Sequence, residues 1–313
     1  MKLHHLALCL LATLVSLSAA EPKKVVLIAG TPSHAAGQHE FNAGCLLLKK
    51  CLDQVPGVNV VVNLNGWPKD ETILDGAAAV FIYADGGGGH PAIQGDRLRK
   101  LAKLMNQGAG LACAHYGVEV PKEKGGPEFL KWMGGYFETH WSVNPTWLAD
   151  FKSFPSHPIA RGVQPFSIRD EWYFHMRFAG GMKGVTPILT AIAPASTMSR
   201  SDGPHSGNPA VRKAVAAGEP QHLAWAFERP DGGRGFGFTG GHYHQNWGND
   251  DFRKLVLNAI LWVAKVEVPA SGVQSIITAD DLKQNLDSKG GQRGASQPVA
   301  PATQPFVSPV TGK

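Results

Sequence analysis

The sequence has few cysteines, almost no long apolar runs and no clustered charge of one sign, and each shortage excludes a class of protein. Four cysteines occur in 313 residues. Cys9 lies in the N-terminal apolar run, which leaves Cys45, Cys51 and Cys113 for the folded chain. This small, odd number excludes a disulfide-based scaffold. The formal net charge is +5, but the basic residues form no stripe, so we expect no nucleic-acid partner.

The first twenty residues are predicted to be a secretory signal peptide. Lys2 precedes an apolar run over 6–17, and Ser18-Ala19-Ala20 offers small residues for cleavage. This run is too short to span a bilayer, and no later segment approaches the ~20 apolar residues of a spanning helix. We therefore expect an exported protein, periplasmic or extracellular, with no membrane partner after signal cleavage.

Residues 21–268 are predicted to form one α/β domain, followed by a mostly disordered tail over 269–313. In the first half of the domain, short apolar runs ending in glycine or polar residues alternate with helical patterns. This alternation predicts a doubly wound, mostly parallel sheet with right-handed crossovers. The aromatic-rich middle of the chain, 122–221, predicts a β extension that covers one side of the site. Within it, 198–218 is predicted to be a loop or a mobile flap.

Histidines and carboxylates follow the ends of the predicted strands. The residues concerned are His34, His39 and Glu40 after the first strand, His90 after the third, His115 after the fourth, and His242 and His244 after the last. Carboxyl ends of parallel strands lie at one edge of a sheet, where ligands bind, so we expect these side chains to converge. The alternative for any one histidine is a core residue that bonds to the backbone.

Converging imidazoles predict either a metal site or an acid–base site. Imidazole is the commonest ligand of transition metals, and zinc favours histidine with carboxylate. The expected ligands are His34, His39, Glu40 and His90. Without a metal, the same groups would act as bare acids and bases.

His115 and His242 are the expected catalytic groups, together with Glu171. Glu171 lies beside aromatic residues and is the candidate acid. The alternative is an ordinary surface carboxylate. Glu119 is expected to bond a site histidine or to cap a helix. The expected substrate-binding residues are Asp85, Gly87, Gly88, Trp141, Tyr173 and His244.

Two other chemistries are considered. The four glycines over 86–89 could approach a phosphate, but neither the lysine of a P-loop nor the dinucleotide spacing is present. Cys113 could be a nucleophile, but it lies inside an apolar run two residues before the turn, where a thiol is buried and inert.

Three motifs resemble the ThuA-like (trehalose utilisation) family. They are Gly108-x-Gly110-Leu-x3-His115, Asp170-Glu-Trp-Tyr173, and Gly241-His242 followed by Trp247. The resemblance implies the flavodoxin-like fold of the class I glutamine amidotransferase-like superfamily and a role in disaccharide catabolism on 3-keto-sugars. The amidotransferases carry a cysteine at the position of His115 and a later His-x-Glu where this chain has His242-Tyr-His244. The resemblance therefore does not extend to glutamine hydrolysis.

The sequence thus predicts an exported carbohydrate-active hydrolase, lyase or isomerase. Its substrate would be a small keto-sugar or a disaccharide derivative, and its site would be rich in histidine with zinc as the expected metal. The alternatives are a non-catalytic sugar-binding module of the same fold and an amidase that uses Cys113. A homo-oligomer is left open.

Overall fold

The computed structural model describes residues 21–289, and the predicted signal peptide and residues 290–313 lie outside this range. The strands are β1 (Lys23–Ala29), β2 (Val58–Asn63), β3 (Ala79–Tyr83), β4 (Gly110–Ala114), β5 (Gly135–Tyr136), β6 (Trp147–Phe151), β7 (Phe166–Asp170), β8 (Arg177–Phe178), β9 (Val185–Ile192), β10 (Pro220–Glu228) and β11 (Arg234–Phe238). The helices are α1 (Phe41–Leu52), α2 (Arg97–Asn106), α3 (Gly126–Met133), α4 (Pro209–Ala216) and α5 (Asp250–Val263).

Seven strands form the central sheet in the order β2-β1-β3-β4-β11-β10-β9. The pairings from β2 to β11 are parallel, whereas β10 runs antiparallel to both of its neighbours. The predicted doubly wound, mostly parallel sheet is therefore confirmed, and β10 and β11 form an antiparallel hairpin at its far side. The first four of these strands and β11 all end at the same edge.

Helices cover both faces of the sheet, which explains why the buried positions of its central strands form uninterrupted apolar runs. Along β1, Val25, Leu27 and Ala29 pack into the core under α1 and α5, while Val26 and Ile28 pack into the core under α2 and α3. A strand buried on both faces loses the alternation of polar and apolar residues. The short uninterrupted runs in the sequence carry this signature.

The middle of the chain adds two small antiparallel pairs, β5 with β8 and β6 with β7. The aromatic β extension that the sequence predicts is present. The segment 198–218, predicted to be a loop or a mobile flap, is more ordered than expected. Asn208 caps α4 by accepting from the backbone N–H groups of Ala210 and Val211.

Residues 269–289, which we predict to belong to the tail, pack back onto the domain. Val273 is buried and its N–H donates to Asn258 of α5 at 2.8 Å. Asp287 donates its backbone N–H to Glu40 at the start of α1. Over the part of the chain that is described, no helix combines the length and the apolarity needed to cross a membrane.

Candidate functional site

The site lies at the edge where β1, β3, β4 and β11 end. His39 comes from the loop after β1, and His115 is the first residue after β4. His242 follows β11 after a short turn, and Glu171 directly follows β7 of the β extension. Strand direction thus places residues from distant parts of the sequence together, as the sequence analysis expects.

Three imidazole nitrogens converge at the centre of the site. His39 Nε2 lies 3.0 Å from His242 Nδ1 and 3.0 Å from His115 Nε2. His242 Nδ1 and His115 Nε2 are 3.2 Å apart. Glu171 adds a carboxylate oxygen 3.3 Å from His242 Nδ1 and 3.6 Å from His115 Nε2. We call these four residues the central cluster.

Neighbouring groups fix which nitrogens in the central cluster carry hydrogen. The Nδ1 of His115 lies 3.1 Å from the carbonyl oxygen of Thr239, which can only accept, so this nitrogen carries the hydrogen. The Nδ1 of His39 is held in the same way by the carboxylate of Asp85 at 2.8 Å. Both Nε2 atoms therefore present lone pairs, and these lone pairs face each other across 3.0 Å. Such an arrangement is repulsive unless a cation lies between the nitrogens.

A proton is a poor occupant of this position. Burial, followed by the neighbouring His242 and His34, lowers the pKa of His39 to about 2. Burial, followed by His39 and His242, holds the pKa of His115 well below its ordinary value. Since the imidazoles resist protonation, the donor set of three nitrogens and one carboxylate oxygen fits a transition-metal ion.

The backbone that carries these imidazoles is strained. His39 has φ of 47° and His115 has φ of 52°, both in the left-handed region that non-glycine residues rarely adopt. Residues held in this way are concentrated at functional sites, where the surrounding structure compensates for the strain. The turn before His242 uses Gly241, with φ of 108°.

Asp170 holds two members of the central cluster in place. Its buried carboxylate accepts from the N–H groups of Gly241, His242 and Glu171 at 2.7–3.0 Å and from the side chain of Asn246 at 2.9 Å. Burial raises the pKa of this carboxyl group, and these hydrogen bonds oppose that shift. This role of Asp170 was not predicted from the sequence, in which the residue stands out only as part of the Asp170-Glu-Trp-Tyr173 motif. Its position at a strand end directly before Glu171 was the available signal.

Tyr173, an expected substrate-binding residue, contacts the central cluster. Its hydroxyl lies 3.1 Å from His115 Nε2 and 3.3 Å from Glu171. Asp85, expected to bind substrate, instead orients His39, although a third of its side chain is exposed.

Gly87 and Gly88, which are also expected to bind substrate, differ in their surroundings. A Cβ added at Gly88 would meet open space, whereas a Cβ added at Gly87 would lie 3.4 Å from the hydroxyl of Tyr116.

Of the expected metal ligands, only His39 is in the central cluster. His34 is exposed and stacks on His39, with ring centroids 3.6 Å apart. It belongs to a second group of possible ligands with His39 and Asp85.

Glu40 and His90 lie outside both groups, which corrects the expected ligand set. Glu40 accepts from two backbone N–H groups and pairs with Lys289 at 3.2 Å. The Nδ1 of His90 accepts from the N–H of Ala92, and its Nε2 donates to the carbonyl of Gly117. His90 is thus the backbone-satisfied core histidine that the sequence analysis considers as the alternative.

Two expected substrate-binding residues are also placed elsewhere. The Trp141 ring is packed by the guanidinium of Arg177, 3.8 Å from the ring centroid, and by the His175 ring at 4.3 Å. These contacts occupy a surface on which a sugar would stack. His244 is buried, and within residues 21–289 neither of its ring nitrogens has a hydrogen-bond partner. Burial lowers its pKa to about 4.

Cys113 is fully buried in the core under α2 and α3, and burial raises the pKa of its thiol. A protonated thiol with no access to solvent cannot attack a substrate. The strand-end position that a nucleophile would need is occupied by His115. This geometry argues against the amidase alternative.

Fold and site together define an α/β protein with a histidine-rich centre at the carboxyl edge of a flavodoxin-like sheet. The model of the ThuA family, described as trehalose utilisation, matches residues 24–263. The chain therefore belongs to the ThuA family, which confirms the resemblance found in the sequence motifs.

Solved structures support the fold. A ThuA-like protein from Bacteroides uniformis ATCC 8492 is 15% identical, with a TM-score of 0.53 over 80% of this chain and 94% of that one. A ThuA-like protein from Parabacteroides merdae ATCC 43184 is also 15% identical, with a TM-score of 0.50 over 82% of this chain and 93% of that one. No curated protein matches the sequence.

Proposed function

We propose that this protein is a carbohydrate-active enzyme whose central cluster binds one divalent metal ion, zinc first. The proposed ligands are His39, His115, His242 and Glu171. The proposed substrate is a keto-sugar or a disaccharide derivative that carries a carbonyl group, and the reaction is a hydrolysis, elimination or isomerisation beside that carbonyl.

The observation that best supports a bound metal is that the Nε2 lone pairs of His39 and His115 face each other. A cation about 2.0–2.1 Å from its ligand nitrogens spaces them about 2.9 Å apart at right angles and about 3.3 Å apart at tetrahedral angles. The observed separations of 3.0–3.2 Å lie in this interval. The hydrogen bonds of His39 to Asp85 and of His115 to Thr239 are the outer-shell contacts typical of metal-binding histidines.

The sugar proposal combines family membership with the chemistry of the donor set. A bound divalent cation would polarise a carbonyl oxygen and stabilise negative charge that develops on it. Glu171 is the member of the central cluster that substrate can reach, since 19% of its side chain is exposed. Tyr173, 3.3 Å away, can orient this carboxylate or donate to a sugar oxygen.

Elemental analysis of the purified chain tests the metal proposal. We expect one zinc per chain in the parent protein, and a loss of zinc in the His39→Ala and His115→Ala variants. His222→Gln is the matched control, because His222 lies on β10, away from the central cluster, and its side chain bonds Thr190 of the neighbouring strand. A parent protein that holds no zinc after incubation with a slight excess of it would refute the metal proposal.

Turnover tests the enzyme proposal. Trehalose and its 3-keto derivative are incubated with parent and variant proteins, and the products are followed by NMR. We expect product from the parent and little from His115→Ala. Saturable binding of these sugars without any product would favour the sugar-binding module instead.

We also propose that the protein is exported, because of the N-terminal apolar run. Mass spectrometry of the chain recovered from its native cells tests this. We expect a mature N-terminus close to Glu21, and an intact Met1 in the mature chain would contradict export.

A further inference from the structure

Beside the central cluster lies a second pair of titratable groups, His205 and Glu119. Glu119 is buried, and its two carboxylate oxygens lie 2.9 and 3.1 Å from His205 Nε2. Thr139 donates to the same carboxylate at 3.2 Å. Glu119 was expected to bond a site histidine or to cap a helix, and in the structure its partner is His205.

The loop that carries His205 is held from several sides. The backbone carbonyl of His205 accepts from the N–H of Asn144 at 3.0 Å and from Arg200 at 3.1 Å. The preceding carbonyl, of Pro204, accepts from the N–H of His140 at 2.7 Å. The His205 ring stacks on Phe137 with centroids 5.3 Å apart. These contacts fix the imidazole, although 35% of its side chain remains exposed.

Two short routes connect this pair to the central cluster. Asn144, which binds the His205 backbone, also donates its side-chain N–H to Glu171 at 3.4 Å. Phe137 packs against both His205 and Tyr173, and Tyr173 contacts His115. The pair is therefore one residue away from the proposed metal ligands, without direct contact to them.

Gly87 has no side chain and therefore leaves room beside the carboxylate of Glu119. A Cβ added at Gly87 would lie 3.6 Å from a Glu119 oxygen, and at Gly88 it would meet nothing within 4 Å. The side chains beside these glycines are those of Glu119, its partner His205 and Tyr116. They offer a carboxylate, an imidazole and a hydroxyl, which are groups that hydrogen-bond sugar hydroxyls.

We propose that His205 is a second catalytic acid–base group of this site, acting on the sugar held at the central cluster, and that Glu119 is its positioning residue. This inference rests on the proposed function. Glu119 accepts the Nε2 hydrogen and leaves Nδ1 as the nitrogen that exchanges a proton with substrate. The proton taken by Nδ1 from a substrate hydroxyl or C–H group goes to the leaving oxygen or to solvent, which restores the neutral imidazole.

The charges around His205 suit this role. The groups that face it are Glu119, Glu171 and Arg200. The hydrogen bond to Glu119, opposed by burial, raises the pKa of His205 above its ordinary value. A raised pKa increases the basicity of the imidazole and its capacity to accept a proton from substrate.

The His205→Gln, Glu119→Gln and His222→Gln variants test the assignment. We expect full zinc content in all three, a fall of about 10²–10⁴-fold in turnover of 3-keto-trehalose for His205→Gln, and parental turnover for the His222→Gln control. In Glu119→Gln the pKa of His205 falls, so the acidic limb of the pH–rate profile moves to lower pH. A zinc-loaded His205→Gln variant with parental turnover would refute the inference while leaving the proposed function intact.

A second measurement does not depend on turnover. The imidazole resonances of His205 are followed by NMR while trehalose or 3-keto-trehalose is added to the parent protein, with His222 as the internal reference. We expect His205 to shift and His222 to stay. If saturating sugar leaves His205 unmoved, the inference is wrong, whatever the zinc content of the chain.

Discussion

Replacing His90 with glutamine distinguishes the structural role of this residue from the metal-binding role that the sequence predicts. The ring is fully buried and accepts from Ala92 N–H through Nδ1. Protonation at Nδ1 would destroy that bond and place a charge in the core. Burial accordingly lowers the pKa of His90 from 6.5 to about 4.

The size of the effect follows from linkage between protonation and folding. Below pH 6.5 the unfolded chain binds a proton at His90 while the folded chain does not, so acid favours the unfolded state. The free energy of unfolding is therefore at its full value above about pH 6.5, where His90 is neutral in both states. It decreases as the pH falls from 6.5 towards 4. Since one pKa unit is worth about 1.4 kcal/mol, His90 should account for a loss of about 3 kcal/mol across this interval.

Urea unfolding of the parent and His90→Gln proteins at pH 7.5 and at pH 4.5 measures this loss. At pH 7.5 the variant should be less stable by about 1–3 kcal/mol, because it loses two buried hydrogen bonds. At pH 4.5 the parent's advantage should shrink by about 2–3 kcal/mol, since the variant lacks the titrating group. An advantage that does not change with pH would refute the linkage argument. A loss of zinc from the variant would restore His90 as a ligand.

Three further predictions concern the site and its surroundings. Asp85→Asn should weaken zinc binding by about 10–100-fold, because the charge that orients His39 is removed. Competition with a chromogenic chelator measures this, and equal zinc affinity of variant and parent would contradict that role. Gly86→Ala should cost about 1–3 kcal/mol in thermal unfolding, because the new Cβ would overlap a backbone carbonyl oxygen, whereas Gly88→Ala should be neutral. Mass spectrometry after iodoacetamide treatment should find Cys113 unlabelled in the folded protein and labelled in urea, and rapid labelling of the folded protein would revive the amidase alternative.

The histidines at the carboxyl edge of the sheet show which side-chain positions sequence patterns can predict and which they cannot. The position of His115 at a strand end was predictable, because a buried apolar run that stops at a polar residue predicts such a position. His39 and His242 are 203 positions apart, yet their proximity was expected, since parallel strands end at one edge. The same reasoning failed for His90, which also follows a strand. Its loop turns the ring into the core, and no periodicity in the sequence encodes that turn.

The sequence by itself determined the fold class, the family and the edge of the sheet at which the histidines gather. These properties depend on strand order and on the alternation of apolar strand runs with helical patterns. Both can be seen in the sequence, because buried positions require apolar residues. Only the tertiary structure decided which nitrogens face one another, that Asp85 and Asp170 support the central cluster, and that Trp141 is covered by its neighbours. Those properties depend on backbone turns and on contacts within about 3 Å, which are set by the packing of the whole domain rather than by any local run of residues.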